Sequence, residues 1–478
     1  MFSFSFGKID HIYLFAYDFR MNLQKTDNLR IGFNLKRILA LGTPLLAGRL
    51  SHYSHQVADS IMMGHFNESG IDLGALAIAG MFFWVLNTLL WPLANGVQAI
   101  VTRRQGAGGD ISQPHRLGEV LDQGVFTSML FACAAFGLSF LARPIFSLML
   151  ENEKIIELGA EYIAILRWSF FPFAIQNSLM RFFSSIHKPK HAVIVSFVSN
   201  AANIILNYIF IYGKLGLPQM GIRGAALGSL LSTFIGCTYL VIVALKKDNR
   251  NTYRFFHSRK LDFKMIGNII RIAAPPAVQN CLAMLIMMFF EAMVENLGAV
   301  YLAAAHIVLS FYRINKTVVG GYSHGAAIFV GNELGAGNKE AAKKVMQAGY
   351  LIGAAIGTIV FAFVFFFPSV VAGFFTAPGE TMDIAISALK FFAPFFFLEI
   401  LGFTFEMVFI GNGWGRFVLF SEFLTNVLFI LGFTFVTTRI LGLGITYAWL
   451  GFGLYQAFHS LLLHIGFKTE RWTEARID

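Results

Sequence analysis

This chain of 478 residues contains twelve long apolar runs. Short segments rich in charged residues, proline or glycine separate one run from the next. A helix needs ~20 apolar residues to cross a bilayer, and each run is long enough. Only helices and closed barrels satisfy the backbone in lipid, and these runs are too long and too continuous for barrel strands. The sequence therefore predicts an all-α integral membrane protein. The predicted transmembrane spans are 35–63, 75–102, 118–142, 158–184, 191–212, 222–245, 265–295, 300–331, 342–368, 383–410, 416–438 and 442–466.

The composition excludes a soluble protein and explains the basic charge. Only 13% of residues are charged, against roughly 25% in soluble domains, and 53 Phe could not be hidden beneath so few charges. The segments between spans alternate between the two sides of the membrane. Those on one side contain seventeen Lys and Arg residues, and those on the other contain five. Because basic loops stay in the cytoplasm, we expect a multi-pass protein of the plasma (inner) membrane with both termini cytoplasmic. The net charge of +10 then requires no nucleic-acid partner.

The two halves of the chain repeat each other. Pro44 precedes Asp59 by the same spacing that separates Pro276 from Glu291, and a Gly-Ala-Gly element ends spans 2 and 8. Six spans per half imply two lobes related by a pseudo-two-fold axis along the membrane normal, as in alternating-access transporters. The predicted divisions are a cytoplasmic segment 1–34, an N-lobe 35–245, a cytoplasmic linker 246–264, a C-lobe 265–467 and a cytoplasmic tail 468–478.

Several short motifs, in their order and spacing, resemble the multidrug and toxic compound extrusion (MATE) family. They are Gln56-Val-Ala-Asp59 with Gly64, Leu297-Gly298 with Leu302-Ala-Ala304, Val330-Gly331 with Leu334-Gly-Ala-Gly337, Asn203-Ile-Ile-Leu-Asn207, and Gly221-Ile-Arg-Gly-Ala-Ala226. An alanine separates Val57 from Asp59, where the family usually has Val-Asp. The resemblance implies twelve helices in two lobes, a central cavity, and export of cationic organic compounds against inward H⁺ or Na⁺.

Asp59 is the strongest candidate for the coupling site. A charge at bilayer depth costs ~2.5–3.5 kcal/mol even on lenient scales, so it needs a reason to be there. His52, Gln56 and Asp59 fall on one helix face, and a carboxylate beside an imidazole can take up and release a proton. The resemblance places a cation-binding aspartate here, whereas the structural alternative is an ion pair with Arg49.

Asn203 and Asn207 lie one turn apart in span 5, with Ser229 in span 6 as a further candidate ligand. In ion-coupled members of the family the second position is often Asp. A neutral Asn207 therefore favours H⁺ over Na⁺ coupling, while hydrogen bonding between helices remains an adequate alternative.

The C-lobe has its own candidate acids, Glu291 and Glu399. Glu291 matches Asp59 in the repeat, and Glu399 lies where the resemblance implies an acid of a C-lobe cation site. Three bases in spans 8 and 10 oppose them: Arg313, Lys316 and Lys390. Such a cluster forms either a structural pair or a switch. Glu406 is expected to be a charge at the cytoplasmic end of span 10.

These features predict a secondary antiporter, not an enzyme. No Gly-rich nucleotide loop is present, so an H⁺ or Na⁺ gradient must drive transport, and we expect no metal site and no other cofactor. The expected substrates are small organic cations in a cavity with His52, Gln56, Arg313 and Lys316 as candidate lining residues, and the expected state is a monomer. The alternative is a lipid-linked oligosaccharide flippase of the same superfamily, which requires unpaired cavity bases. The cluster of His52, His55 and Asp59 is the nearest approach to an enzyme site.

Overall fold

The structure is a computed structural model that describes residues 29–64, 66, 71–109, 114–149, 152–256, 260–295, 297, 299–375 and 379–475. Some helical side chains, including those at 52–61 and 291, lie outside this description. Over the described ranges the chain forms helices without a β-strand. The helices are α1 Ile31–Gly64, α2 Ile71–Asn87, α3 Trp91–Arg104, α4 His115–Leu138, α5 Ala142–Met149, α6 Glu153–Leu166, α7 Phe170–Ser185, α8 Lys190–Tyr212, α9 Ile222–Leu245, α10 Lys247–Tyr253, α11 Phe263–Glu295, α12 Ala299–Gly335, α13 Lys339–Phe366, α14 Pro368–Gly373, α15 Glu380–Gly411, α16 Gly415–Thr425 and α17 Ile445–Lys468.

Each of the twelve predicted spans coincides with one helix or with two consecutive ones. Span 2 is divided between α2 and α3, span 4 between α6 and α7, and span 11 continues from α16 through wider π-helical turns at Asn426–Phe433 and Val436–Ile440. Within the described ranges, nine helical segments are long and apolar enough to cross a membrane. The described parts of α1, α12 and α17 are not among them.

Local sequence signals explain where several helices begin and end. Asn152 Oδ1 accepts hydrogen bonds from the backbone N–H groups of Lys154 and Ile155 at the start of α6, at 3.1 and 3.4 Å. Asn338 caps α13 in the same way. Such caps satisfy backbone donors that have no partner inside the helix. At the other end of α8, Gly213 takes a left-handed conformation (φ 65°), which glycine adopts without steric cost.

The chain divides into two compact units. Among the described residues, the C-terminal unit comprises 29–46 together with those from 278 to 475. Helix α15 is its centre and contacts α12, α13, α16 and α17. Phe392, Phe396 and Phe452 belong to one apolar cluster of this unit, and Ile38, at the start of α1, belongs to a second. The most connected helix of the unit therefore carries two of its acids, Glu399 and Glu406.

The N-terminal unit comprises Ala47–Ala277. Helices α7, α8 and α6 pack against α9, and α8 approaches α9 so closely that a Cβ at Gly224 would lie 2.6 Å from the backbone of Phe210. Met63, Phe146 and Ile222 are fully buried in its main apolar cluster.

The unit boundaries differ from the predicted lobe boundaries at 245 and 265. Each boundary falls inside a helix, after Leu46 in α1 and after Ala277 in α11. The first part of α11 stays with the N-terminal unit because Ile269 packs on Gly96, where a Cβ would meet the Ile269 carbonyl oxygen at 2.7 Å. The predicted linker also contains a helix, α10, whose Tyr253 is buried.

Candidate functional site

Glu399, in the middle of α15, forms a buried ion pair with Lys316 of α12. Lys316 Nζ lies 2.9 Å from Glu399 Oε1, and the two side chains are 27% and 3% exposed. Tyr312, one turn before Lys316, closes a triangle. Its hydroxyl donates to the same Glu399 oxygen at 2.9 Å and accepts from Lys316 Nζ at 3.2 Å. One carboxylate oxygen thus receives two hydrogen bonds, one of them from a charged donor.

Aromatic rings cover the Lys316 ammonium group. Its Nζ lies 4.7 Å from the centre of the Phe403 ring and 5.2 Å from that of Tyr312. A cation held over aromatic rings in this range gains electrostatic stabilisation when it is removed from water. Lys316 is therefore neutralised by Glu399 and held in place by rings from α12 and α15.

Two further carboxylates, Glu406 and Glu422, meet at a single amide. Gln279 Nε2 of α11 donates to Glu406 Oε1 at 2.9 Å and also to Glu422 Oε2 of α16. All three side chains are buried, with exposures of 5% for Gln279, 6% for Glu406 and 8% for Glu422. Lys316 and Glu399 lie within electrostatic range of both carboxylates, so the two groups form one polar cluster.

Helix α17 contributes polar side chains to the same unit. Tyr455 and His459 stack with their ring centres 5.8 Å apart, and Tyr455 lies within electrostatic range of Glu399, Glu406 and Glu422. Within the part of the chain that the structure describes, His459 Nε2 has no hydrogen-bond partner. This side of the cluster can accept or donate further hydrogen bonds.

Gly402 allows α17 to approach the two acids of α15. It lies between Glu399 and Glu406 on one helix face, and a Cβ at this position would meet the Cα and Cβ of Ser460 at 2.9 Å. Real Cβ atoms essentially never approach so closely, so glycine is the residue that this crossing requires.

The structure brings together Asn203, Asn207 and Ser229 in the N-terminal unit. Asn203 Nδ2 donates to Ser229 Oγ at 3.1 Å, and Asn207 Nδ2 donates to Asn203 Oδ1 at 3.2 Å. All three are buried, and Gly228 faces Asn207 without space for a Cβ. These three candidate residues are therefore in contact, whereas their role in coupling stays a prediction.

Other predicted site residues are distributed differently. The side chains of His52, Gln56, Asp59 and Glu291 lie outside the described residues. Arg313 is exposed, one turn from the buried part of α12. Lys390 is exposed as well. Neither base forms an ion pair with a carboxylate among the described side chains.

Two expectations from sequence are wrong. Glu406, expected to be a charge at the cytoplasmic end of span 10, is instead buried, and its carboxylate accepts a hydrogen bond from Gln279. Arg181, counted among the basic loop residues, lies inside α7 and is 8% exposed, with its Nη1 3.3 Å from Gln98 Oε1. Without Arg181, the predicted cytoplasmic loops still contain far more Lys and Arg residues than the loops on the other side.

Sequence reasoning missed Gln279 and Glu422. Glu422 could have been found by the criterion applied to Asp59, because it is an acid inside a predicted apolar span. Gln279 is neutral, and a glutamine in a long apolar span carries no comparable signal.

The chain matches the family model described as MatE in two stretches, residues 44–209 and 275–436. The two matches start close to Pro44 and Pro276 and confirm the internal repeat. Among relatives, the probable multidrug resistance protein NorM of Thermotoga maritima is 23% identical, over 92% of this chain and 94% of that protein. The multidrug resistance protein NorM of Burkholderia vietnamiensis is 26% identical, over 74% and 76%.

Solved structures show the same fold. A crystal structure of MATE in the bent conformation superposes with a TM-score of 0.84 at 20% identity, covering 95% of this chain and all of that one. A MOP superfamily transporter from Pyrococcus furiosus gives 0.82 at 21% identity, covering 94% and 97%. The fold is the twelve-helix, two-lobe fold of these proteins. Because the family model matches most of the chain, once in each predicted half, the protein belongs to the MatE family.

Proposed function

We propose that this protein is a secondary active antiporter that exports cationic or amphipathic organic compounds in exchange for H⁺. One observation carries the proposal. In the C-terminal unit, the buried carboxylates of Glu399, Glu406 and Glu422 lie around the ammonium group of Lys316. A membrane interior with an excess of acids favours positive charge, either on a proton or on a substrate.

The proposed coupling ion is a proton that binds at Asp59. The resemblance groups Asp59 with Asn203 and Asn207, which with Ser229 are neutral and form hydrogen bonds among themselves. A Na⁺ site prefers several oxygen ligands with compensating negative charge. A single carboxylate beside neutral amides suits a proton better.

Relatives named as multidrug resistance proteins support the substrate class. The similarity to the Thermotoga maritima NorM covers nearly the whole of both chains, so the proposal concerns the whole protein. We propose further that it is a monomer of the inner membrane with both termini in the cytoplasm. A reporter fused to the C-terminus that is active only in the cytoplasm tests this orientation, and activity of a periplasmic reporter there contradicts it.

Transport in proteoliposomes tests the function. The purified protein is reconstituted, a pH gradient or a Na⁺ gradient is imposed separately, and uptake of a panel of fluorescent organic cations is measured. Transport driven by the pH gradient alone is the expected result. Transport that requires Na⁺ at fixed pH contradicts H⁺ coupling, and the absence of cation transport under both gradients contradicts the function.

Asp59→Asn is the decisive variant, because it removes the oxygen that binds the proton and retains the size and shape of the side chain. Coupled transport should be lost while the protein stays folded and inserted. Glu157→Gln, which changes an exposed carboxylate of α6, is the matched control and should transport normally.

The flippase alternative requires unpaired bases, and Lys316 does not meet this requirement because it is neutralised by Glu399. Arg313 remains as an exposed base, and the third base that supports this alternative, Arg49, lies in the N-terminal unit. Lipid-linked oligosaccharide transport without cation transport would favour the alternative.

A further inference from the structure

We propose that Glu406 and Glu422 together bind one proton, as a carboxylic acid–carboxylate pair bridged by the side-chain amide of Gln279. This site lies in the C-terminal unit. It is separate from the coupling proton that the proposed function places at Asp59 in the N-terminal unit.

The shared amide fixes the distance between the carboxylates. Gln279 Nε2 donates to an oxygen of each, and two hydrogen bonds of ~3 Å that start from one nitrogen keep their acceptors within about 6 Å of each other. Both carboxylates are more than nine-tenths buried. Water therefore screens their repulsion poorly.

The charges around the pair do not balance if both carboxylates are ionised. Lys316 lies in direct contact with Glu399, so its charge is largely matched there. Gln279 is neutral. Two like charges at this separation in a buried site disfavour double ionisation, and such a pair retains a proton on one member.

The Gln279 amide provides a second observation. Its Oε1 is buried and has no hydrogen-bond donor among the described residues, although Nε2 serves two carboxylates. An ionised carboxylate only accepts hydrogen bonds, whereas a protonated one also donates. A half-turn of the amide brings Oε1 to the pair as an acceptor for the carboxyl proton. The amide thus has a suitable atom for either protonation state.

Three titratable groups on neighbouring helices lie within electrostatic range of the pair: Lys316 on α12, Glu399 on α15 and Tyr455 on α17. Tyr312 and His459 lie near Glu399 and Lys316. Glu399 adds negative charge, which reinforces retention of the proton. Lys316 opposes it, but its ammonium group is held at Glu399.

The binding step adds one proton from water to a carboxylate oxygen of the pair and breaks no bond within the protein. The charge of the pair changes from −2 to −1. Loss of this proton increases the attraction of the pair for Lys316, which is within electrostatic range of both acids. The shared proton therefore helps to keep Lys316 on Glu399.

Infrared spectroscopy of the full chain in lipid vesicles tests the proposal through the carboxylic-acid C=O band. The wild type should show a band equivalent to one protonated carboxyl group at about pH 7, and it should shift in D₂O. The double variant Glu406→Gln/Glu422→Gln should abolish this band, because it removes both carboxyl groups that can hold the shared proton. Persistence of the band in the double variant overturns the proposal, as does its displacement by Na⁺ at fixed pH.

Three controls separate this test from folding and from the proposed function. Glu340→Gln alters an exposed carboxylate of α13 and should leave the band unchanged. Glu422→Asp retains a carboxyl group and should retain a band, even where the double variant folds poorly. Asp59→Asn should retain the band in full. Failure of coupling at Asp59 can thus be recognised independently of the Glu406–Glu422 pair.

Discussion

Lys316 Nζ lies 2.9 Å from Glu399 Oε1 inside the C-terminal unit, and Tyr312 bonds to both groups. The two charged residues come from different helices and are 27% and 3% exposed. Burying two charges is costly, and good geometry with additional hydrogen bonds offsets this cost only while both partners are present. Stability of the unit should therefore depend on the pair being intact.

Removing only the base should be strongly destabilising. We expect Lys316→Met to lower the free energy of unfolding by about 3–5 kcal/mol, since it leaves Glu399 buried without its counter-charge. Lys316→Met/Glu399→Gln should recover most of the loss. Thermal unfolding in detergent, followed by tryptophan fluorescence, measures both.

The control for this variant is Lys339→Met, which breaks an exposed pair with Glu474 at 3.1 Å. Exposed pairs contribute about 0–1 kcal/mol, so this variant should unfold close to the wild type. Equal losses in the two variants would contradict a special role for the buried pair.

The Tyr312 hydroxyl should contribute measurably by itself. Tyr312→Phe removes a donor to Glu399 and an acceptor for Lys316 but retains the ring over the ammonium group. Hydrogen bonds to charged groups contribute about 1.5–3 kcal/mol, and we expect a loss of this size in unfolding free energy. Tyr447→Phe, at an exposed position, is the control, and a loss no larger than its own would sink the prediction.

Hydropathy was sufficient to predict the spans. Opposite charges in spans 8 and 10 indicated a cluster of acids and bases, within which the described side chains pair Lys316 with Glu399. Hydropathy is a local property of the sequence. A charge inside an apolar run is informative because burying it in the membrane costs free energy wherever it occurs. The resemblance also singled out Asn203 and Asn207, which the structure joins by a hydrogen bond. These parts of the structure can be predicted from short stretches of sequence.

The Glu406–Gln279–Glu422 bridge could not be predicted in this way. Its members are separated by 127 and 143 residues and meet only because α11, α15 and α16 pack in one unit. Glu406 was misread because it lies one turn from the predicted end of span 10, where a charge can reach water, whereas packing against Gln279 buries it. The unit boundary inside α1 has the same origin, since it depends on which neighbours the helix contacts.

The crossing at Gly402 gives a prediction about packing. Gly402→Ala would place a Cβ 2.9 Å from Ser460 Cα, so α15 and α17 must separate. Overpacking of this kind costs about 1–3 kcal/mol, and the acids on either side of Gly402 should shift with the helix. We expect a lower unfolding temperature together with a changed carboxylic-acid infrared band.

Gly267→Ala is the matched control, because a Cβ at this position in α11 meets nothing within 4 Å. Alanine has a higher helix propensity than glycine by about 1 kcal/mol, so this variant should be as stable as the wild type or more so. If Gly402→Ala behaved like Gly267→Ala, the close crossing of α15 and α17 would be wrong.

Asn207→Asp tests why the proposed coupling ion is a proton. The Asn207 amide donates to Asn203 Oδ1 at 3.2 Å, and a carboxylate in its place would set acceptor oxygens against each other. Such a site requires a cation between the oxygens or a proton on the carboxylate, because an unpaired buried anion is costly. In proteoliposomes we expect the variant to gain stimulation by Na⁺ at fixed pH, which the wild type should lack. Asn249→Asp, in α10 outside the spans, should leave the ion dependence unchanged. An Asn207→Asp protein whose transport responds to Na⁺ no more than the wild type would show that the neutral amide does not set the choice of ion.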